Sequence, residues 1–226
     1  MTPHPRNVAG GAQLRAERRA GAFVAAALVL CILLACSGAA AAQARMYALD
    51  PVHTRVMFAV DHAGFSRSIG TVSGATGALR VDPADWSGAR VEAWVPLERL
   101  DLGDAEWNAA TLAGNLLDAS RHPHAVFVSD RVEAASERRL RIHGRLTLRG
   151  VTRPMVLEAV VNDMRRHPMP PFRRTAGFSA VGMLSRLDFG ISAWPGVIGD
   201  EVELRIEVEA VEAPDASFTG GGAAEE

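Results

Sequence analysis

The chain is 226 residues long, with 24 basic and 26 acidic side chains and a formal net charge of −2. Charges of both signs are mixed along it, which excludes a nucleic-acid binder, because that function needs a concentrated basic face. Every basic side chain is arginine, and the two cysteines, Cys31 and Cys36, both fall near the N-terminus.

Residues 1–44 read as a signal peptide. Arg6, Arg15, Arg18 and Arg19 form a basic start, and an unbroken apolar run follows from Ala22 to Ala35. The run is short for a bilayer span, and Ala42-Gln43-Ala44 offers an A-x-A cleavage site before Arg45. Cleavage there leaves no thiol and no disulfide framework. The alternative is a lipobox at Leu33-Leu34-Ala35-Cys36, which would make Cys36 a lipidated N-terminus and the protein an anchored lipoprotein. Either way about 180 residues remain, enough for one domain with a sizeable core.

Beyond Met46 the hydrophobic period is that of strands. Val56, Phe58, Val60 and His62 share one face, with Arg55, Met57, Ala59 and Asp61 on the other. Gly70 and Gly74 mark bends where a sheet curls. Ala89, Val91, Ala93, Val95 and Leu97 alternate with Arg90, Glu92 and Trp94. Between Asp104 and Asn115 the spacing becomes helical, with Asp104 as N-cap. Strand patterns resume over residues 124–132, 139–149, 155–162 and 175–186. The cleanest sets Leu140, Ile142, Leu146 and Leu148 against Arg141, His143, Arg145 and Thr147. Around Gly150 the chain turns, and Pro154 is expected to start the return strand. A last strand sets Val202, Leu204, Ile206 and Val208 against five charged residues, and 214–226 read as a disordered tail. Short strands with turn residues between them predict an all-β antiparallel sandwich or barrel with one short helix. Gly144, Ala159, Gly177, Ala180 and Gly182 fall among the apolar positions, and small inward residues would leave room for a ligand.

Three motifs carry a family resemblance. Residues 47–54, Tyr-Ala-Leu-Asp-Pro-Val-His-Thr, lead into Val56, Phe58, Val60, His62 and Gly64. Residues 144–154 read Gly-Arg-Leu-Thr-Leu-Arg-Gly-Val-Thr-Arg-Pro. Arg186-Leu187-Asp188-Phe189-Gly190-Ile191 precedes Gly199-Asp200-Glu201-Val202. Their order and spacing resemble the YceI-like family from about Tyr47 to Ala213, so the domain is placed at 45–213. The resemblance implies an antiparallel lipocalin-like β-barrel of about eight strands in the bacterial periplasm. It further implies binding of an isoprenoid, quinone or acyl-chain lipid (a quinone tail, a polyprenyl phosphate or a fatty amide) inside the barrel, without a settled catalytic activity. No cofactor or metal is expected, and a membrane-protein partner is the expectation of the interaction-module reading. One departure stands out. Where the family often has Arg-Asp-x-His-Leu before paired aromatics, this chain has Asn108-Ala109-Ala110-Thr111-Leu112 and then Leu116-Leu117-Asp118.

A lipid tunnel needs a continuous apolar lining with a few polar groups at its mouth. The apolar strand faces offer Phe58, Val60, Val91, Val95, Phe127, Leu146, Leu148, Leu157, Phe178 and Leu204 as ligand-binding residues, with Arg153, Arg186 and Trp94 as mouth residues. The rival readings are a barrel enzyme using His53 or His62 as acid/base, and a filled barrel serving as a non-catalytic interaction module. No G-x-S-x-G elbow supports a catalytic serine. The spacing of His53 and His62, and of His122 and His124 around Pro123, lacks a metal-binding cluster.

Overall fold

The computed structural model describes residues 43–219. Cys31, Cys36 and all but the last two residues of the expected signal peptide therefore lie outside the described residues. Among the described residues are eleven strands: β1 (Arg45–Leu49), β2 (Arg55–His62), β3 (Ser66–Ser73), β4 (Thr76–Val81), β5 (Arg90–Pro96) and β6 (Leu100–Asp101), then β7 (His124–Ala134), β8 (Arg139–Leu148), β9 (Val151–Arg166), β10 (Arg174–Ser185) and β11 (Ile198–Glu212). One α-helix, α1 (Ala105–Leu112), separates β6 from β7.

β1 and β2 are two halves of one kinked path along β11. Leu49 faces Ala210, Asp50 N donates to Glu209 O at 2.8 Å, and Arg55 faces Glu207. The kink is an Asx turn, in which Asp50 Oδ1 accepts from the amides of Val52 at 2.8 Å and His53 at 3.3 Å. β3 and β4 are joined in the same way at Gly74, whose φ of +78° suits a residue without a Cβ. Pairing of β1 with β11 closes the ring β1–β4–β5–β7–β8–β9–β10–β11 into an eight-stranded antiparallel barrel. That strand number leaves an interior just wide enough to be filled by side chains or to hold one small ligand.

The wall is not closed equally at both ends. β4 pairs with β5 from Thr76 to Arg80, whereas β3, bent away at Gly74, meets only Leu100 and Asp101 of β6 on that side. The gap is covered by α1. Asp104 caps this helix as its sequence predicts, Oδ1 accepting from Trp107 N at 2.9 Å. Asn108 pins it to the sheet, its Oδ1 accepting from Leu102 N at 2.7 Å.

The β8–β9 hairpin turns on Arg149 (φ +53°) and Gly150 (φ +73°), the two positive φ values of a type I′ turn. Pro154 does not start the return strand; β9 begins at Val151, and Pro154 lies inside it opposite Arg145. Counted from the Leu148–Val151 pair that closes the turn, Arg145–Pro154 is a pair without ladder hydrogen bonds. The missing proline N–H therefore faces the other edge, where β10 pairs with β9 only from Glu158 onward. No ladder bond is lost.

Of the expected tail, residues 214–219 are among the described residues. The end of this stretch meets β5, with Arg90 stacked 4.4 Å from the Phe218 ring and Thr219 N donating to Glu92 Oε1 at 3.1 Å. Thr219 Oγ1 and Trp94 Nε1 also donate to Glu92 Oε1. Burial disfavours the Glu92 carboxylate, but these hydrogen bonds outweigh it and hold the carboxyl below the usual glutamate range. Trp94 is thus part of an outer-face cluster and not of the mouth.

Candidate functional site

Inside the barrel lies a cavity of about 310 Å³ whose wall is almost wholly apolar. All ten residues singled out from the strand faces line it: Phe58, Val60, Val91, Val95, Phe127, Leu146, Leu148, Leu157, Phe178 and Leu204. On β5 the apolar parity faces inward: Val91, Ala93 and Val95 line the cavity, Glu92 turns its carboxylate to Trp94 and Thr219, and Arg90, which borders the cavity, lays its guanidinium over the Phe218 ring. At one end Trp86, in a single 3₁₀ turn between β4 and β5, meets Phe178 edge-on at 6.4 Å and forms a floor.

The small residues divide into three kinds. Ala159 and Ala180, facing each other across β9 and β10, line the cavity and leave it open. Gly144 and Gly182 face inward, but their space is taken: a Cβ on Gly144 would lie 2.6 Å from the Phe127 ring, and one on Gly182 would lie 2.8 Å from Leu157 and Met155. Gly177 points outward beside Asn162 and Asp163, contrary to its expected place inside. Gly70 belongs with the second kind, because Phe58 packs its ring where a Cβ would sit, at 2.3 Å.

A second cavity of about 340 Å³ forms the mouth and shares Phe58, Val60, Thr111 and Leu116 with the first. Trp107, Ala110 and Thr111 present one face of α1 to it, and the chain after the helix returns Leu116 to both cavities. His62 ends β2 in this mouth, its ring 5.5 Å from that of Trp107 and inclined at 40°. Across from them the 194–198 turn contributes Trp194, Val197 and Ile198. Ala63 N donates to Val197 O at 2.6 Å and so ties this turn to the β2–β3 hairpin. Helical spacing exposed Trp107 to view, but the role of the Trp194-Pro195-Gly196 turn had no comparable signal, since only folding carries it beside α1.

Of the expected mouth residues, Arg186 has a different task. It is 4% exposed and donates to four carbonyls: Gly199 at 2.8 Å, Ile191 at 2.5 Å, Ala193 at 3.0 Å and Ile198 at 2.7 Å. It is the staple of the 190–199 loop. Arg153 donates to Thr152 O on the exposed start of β9. His53 is exposed and bonds Asp50 through Nδ1 at 2.8 Å, which raises its pKa and serves the entry turn outside either cavity. Asp118 is buried at the loop after α1. Its hydrogen bond with Arg121, together with the charge of that guanidinium, holds its carboxyl below the usual range against the opposing effect of burial. His122 packs under Gly150 and His124 meets Trp94 edge-on, so the two do not converge. Among the described residues no three His, Cys, Asp or Glu side chains are placed to share a metal ion.

An antiparallel eight-stranded barrel around an apolar cavity, lidded by one helix, defines a lipocalin-like fold. The chain belongs to the YceI-like domain family, whose match spans residues 47–210. A UPF0312 protein of Pseudomonas savastanoi is 31% identical over 187 residues, covering 83% of this chain and 96% of its own. Protein YceI of Salmonella arizonae is 32% identical over 183 residues, covering 81% and 94%. Among solved structures, Burkholderia cenocepacia BcnA superposes with a TM-score of 0.64 at 20% identity, over 71% of this chain and 98% of that one. A polyisoprenoid binding domain from Saccharophagus degradans gives 0.55 at 13% identity, over 74% and 98%. These structural likenesses bear on the fold.

Proposed function

We propose that this protein is an exported, non-catalytic carrier that holds the apolar chain of an isoprenoid or related lipid inside the barrel, with its cargo's head at the α1 mouth. The observation that carries this reading is the cavity of about 310 Å³ walled by the aliphatic and aromatic faces of the strands. Kept dry and empty, such a space costs about 7 kcal/mol at roughly 24 cal/mol per Å³, comparable with the whole net stability of a domain. Water is a poor filling, because an ordered water needs two or more polar partners that this wall does not offer. At about 30 Å³ per small group the space takes roughly ten methylenes, each contributing about 0.8 kcal/mol when transferred from water. The remainder of a long chain runs through the mouth.

The polyisoprenoid-binding protein that shares this fold supports the same class of cargo. Export to the periplasm rests on the reading of residues 1–44, with lipidation at Cys36 as its alternative. The placement of His53 outside the cavities weighs against its use as an acid/base group. Native mass spectrometry of the protein purified from cells without detergent, with mass spectrometry of its organic extract, tests the reading. A stoichiometric adduct with isoprenoid or acyl fragments is expected. A protein that carries no lipid and takes none up from a prenol solution refutes it. The N-terminal mass from the same spectrum separates cleavage before Arg45 from a lipidated Cys36.

A further inference from the structure

We infer that the mouth selects an uncharged head bearing a hydrogen-bonding oxygen, an alcohol or a carbonyl, and rejects a phosphate. The inference rests on the carrier reading and names the head group it leaves open. Among the described residues twelve line the mouth, and none of these is Arg, Asp or Glu; its polar groups are His62, Ser68, Thr111 and the two indoles. A phosphate placed there would give up part of its water with no arginine in the lining to compensate it, and desolvating an ionised group costs far more than desolvating a neutral oxygen.

Three arginines near the mouth are engaged elsewhere. Arg186 is spent on four loop carbonyls. Arg149 places Nη1 on Gly190 O and Nη2 on Gly114 O, both at 2.9 Å. Arg67 lies on the outer face of β3, bonded to Glu203 at 2.8 Å and to Ala59 O at 3.1 Å. The start of α1, which could otherwise have drawn an anion, is occupied by the Asp104 carboxylate with Glu106 beside it.

A neutral oxygen has what it needs. Ser68 faces Val60 across β2 and β3, and His62 follows two residues after Val60 on the same inward face. A hydroxyl and an imidazole thus stand together at the rim of an otherwise apolar space, where either can donate to or accept from a head oxygen. Trp107 and Trp194 wall the same site with flat rings.

The test uses the full protein as purified from cells and stripped of lipid, and displacement of an uncharged fluorescent naphthylamine. Three competitors share one branched C20 isoprenoid skeleton: geranylgeraniol, geranylgeranyl monophosphate and, as the headless control, the saturated hydrocarbon phytane. The alcohol is expected to bind at least about tenfold tighter than the phosphate. His62→Leu and Ser68→Ala should each weaken the alcohol by roughly three- to tenfold, the range for one lost hydrogen bond. Phytane affinity, which reports the intact barrel, should not fall in either variant. Phosphate binding equal to or tighter than the alcohol overturns the selection and leaves the carrier reading standing. Failure of all three competitors, phytane included, overturns the carrier reading itself.

Discussion

Ala180 offers the sharpest way to separate a ligand chamber from an ordinary core. It is buried, faces Ala159 across the β9–β10 pair, and lines the cavity beside Phe178 and Leu157. Ala180→Leu adds three carbons to that space. In a close-packed interior, such an insertion costs about 1–3 kcal/mol through forced rotamers and backbone shifts. In a chamber of about 310 Å³ the three carbons instead enter free volume and recover up to about 2.4 kcal/mol of transfer and contact energy. They also occupy the room of about three chain methylenes, so a bound lipid loses a similar amount, a factor of about 50 in Kd. The two effects have opposite signs. Urea unfolding of the lipid-free variant should give unchanged or raised stability, while displacement titration gives much weaker binding. A destabilised lipid-free variant with unaltered affinity would refute the reasoning, because it would make this space a packed core and place the lipid elsewhere.

Three further outcomes are expected. Gly144→Ala brings a Cβ to 2.5 Å from the Val128 carbonyl oxygen, a backbone atom that cannot step aside, and to 2.6 Å from the Phe127 ring; a loss of about 1–3 kcal/mol should appear in urea unfolding. Arg186→Met leaves four loop carbonyls without their donor, and at roughly 1.5–3 kcal/mol per charge-assisted bond the loss should be at least about 3 kcal/mol, with new protease cleavage within residues 190–199. The Glu92 carboxyl is held below its ordinary value when folded, so its contribution is present above the usual glutamate range, about 4.3, and is lost as pH falls through the folded value. Stability measured against pH should accordingly fall less steeply at the acid end in Glu92→Gln, and Thr219→Val should raise the pH at which Glu92 titrates by NMR.

The period-two runs of β2, β5, β8 and β11 were legible because each strand has one wet and one dry face, and that alternation is local chemistry. The same was true of α1, whose Asp104 cap and changed period stand in the sequence. The ten lining residues were readable as the dry faces of their strands. That these faces enclose a space was not readable, because a cavity is what remains after side chains from distant strands have met. Gly144, Gly177 and Gly182 look alike in the sequence. Only packing shows Phe127 filling the first, Leu157 and Met155 filling the last, and Gly177 facing outward.

Arginine roles were the least legible part. Arg186 looked like a mouth cation, yet its carbonyl partners come from the loop that follows it, and the loop's path is set by the β10–β11 pairing. Trp94 looked exposed to the ligand because its strand is, but the residue alternates outward and meets Glu92 beneath a tail more than a hundred residues away. By itself, then, the sequence determined the antiparallel all-β class, the helix after Asp104 and the dry face of each strand, since these follow from near-neighbour periodicity. The tertiary structure alone decided that the dry faces leave a chamber, where it opens, and that the opening holds His62 and Ser68. Those properties depend on which residues meet across strands far apart in the chain.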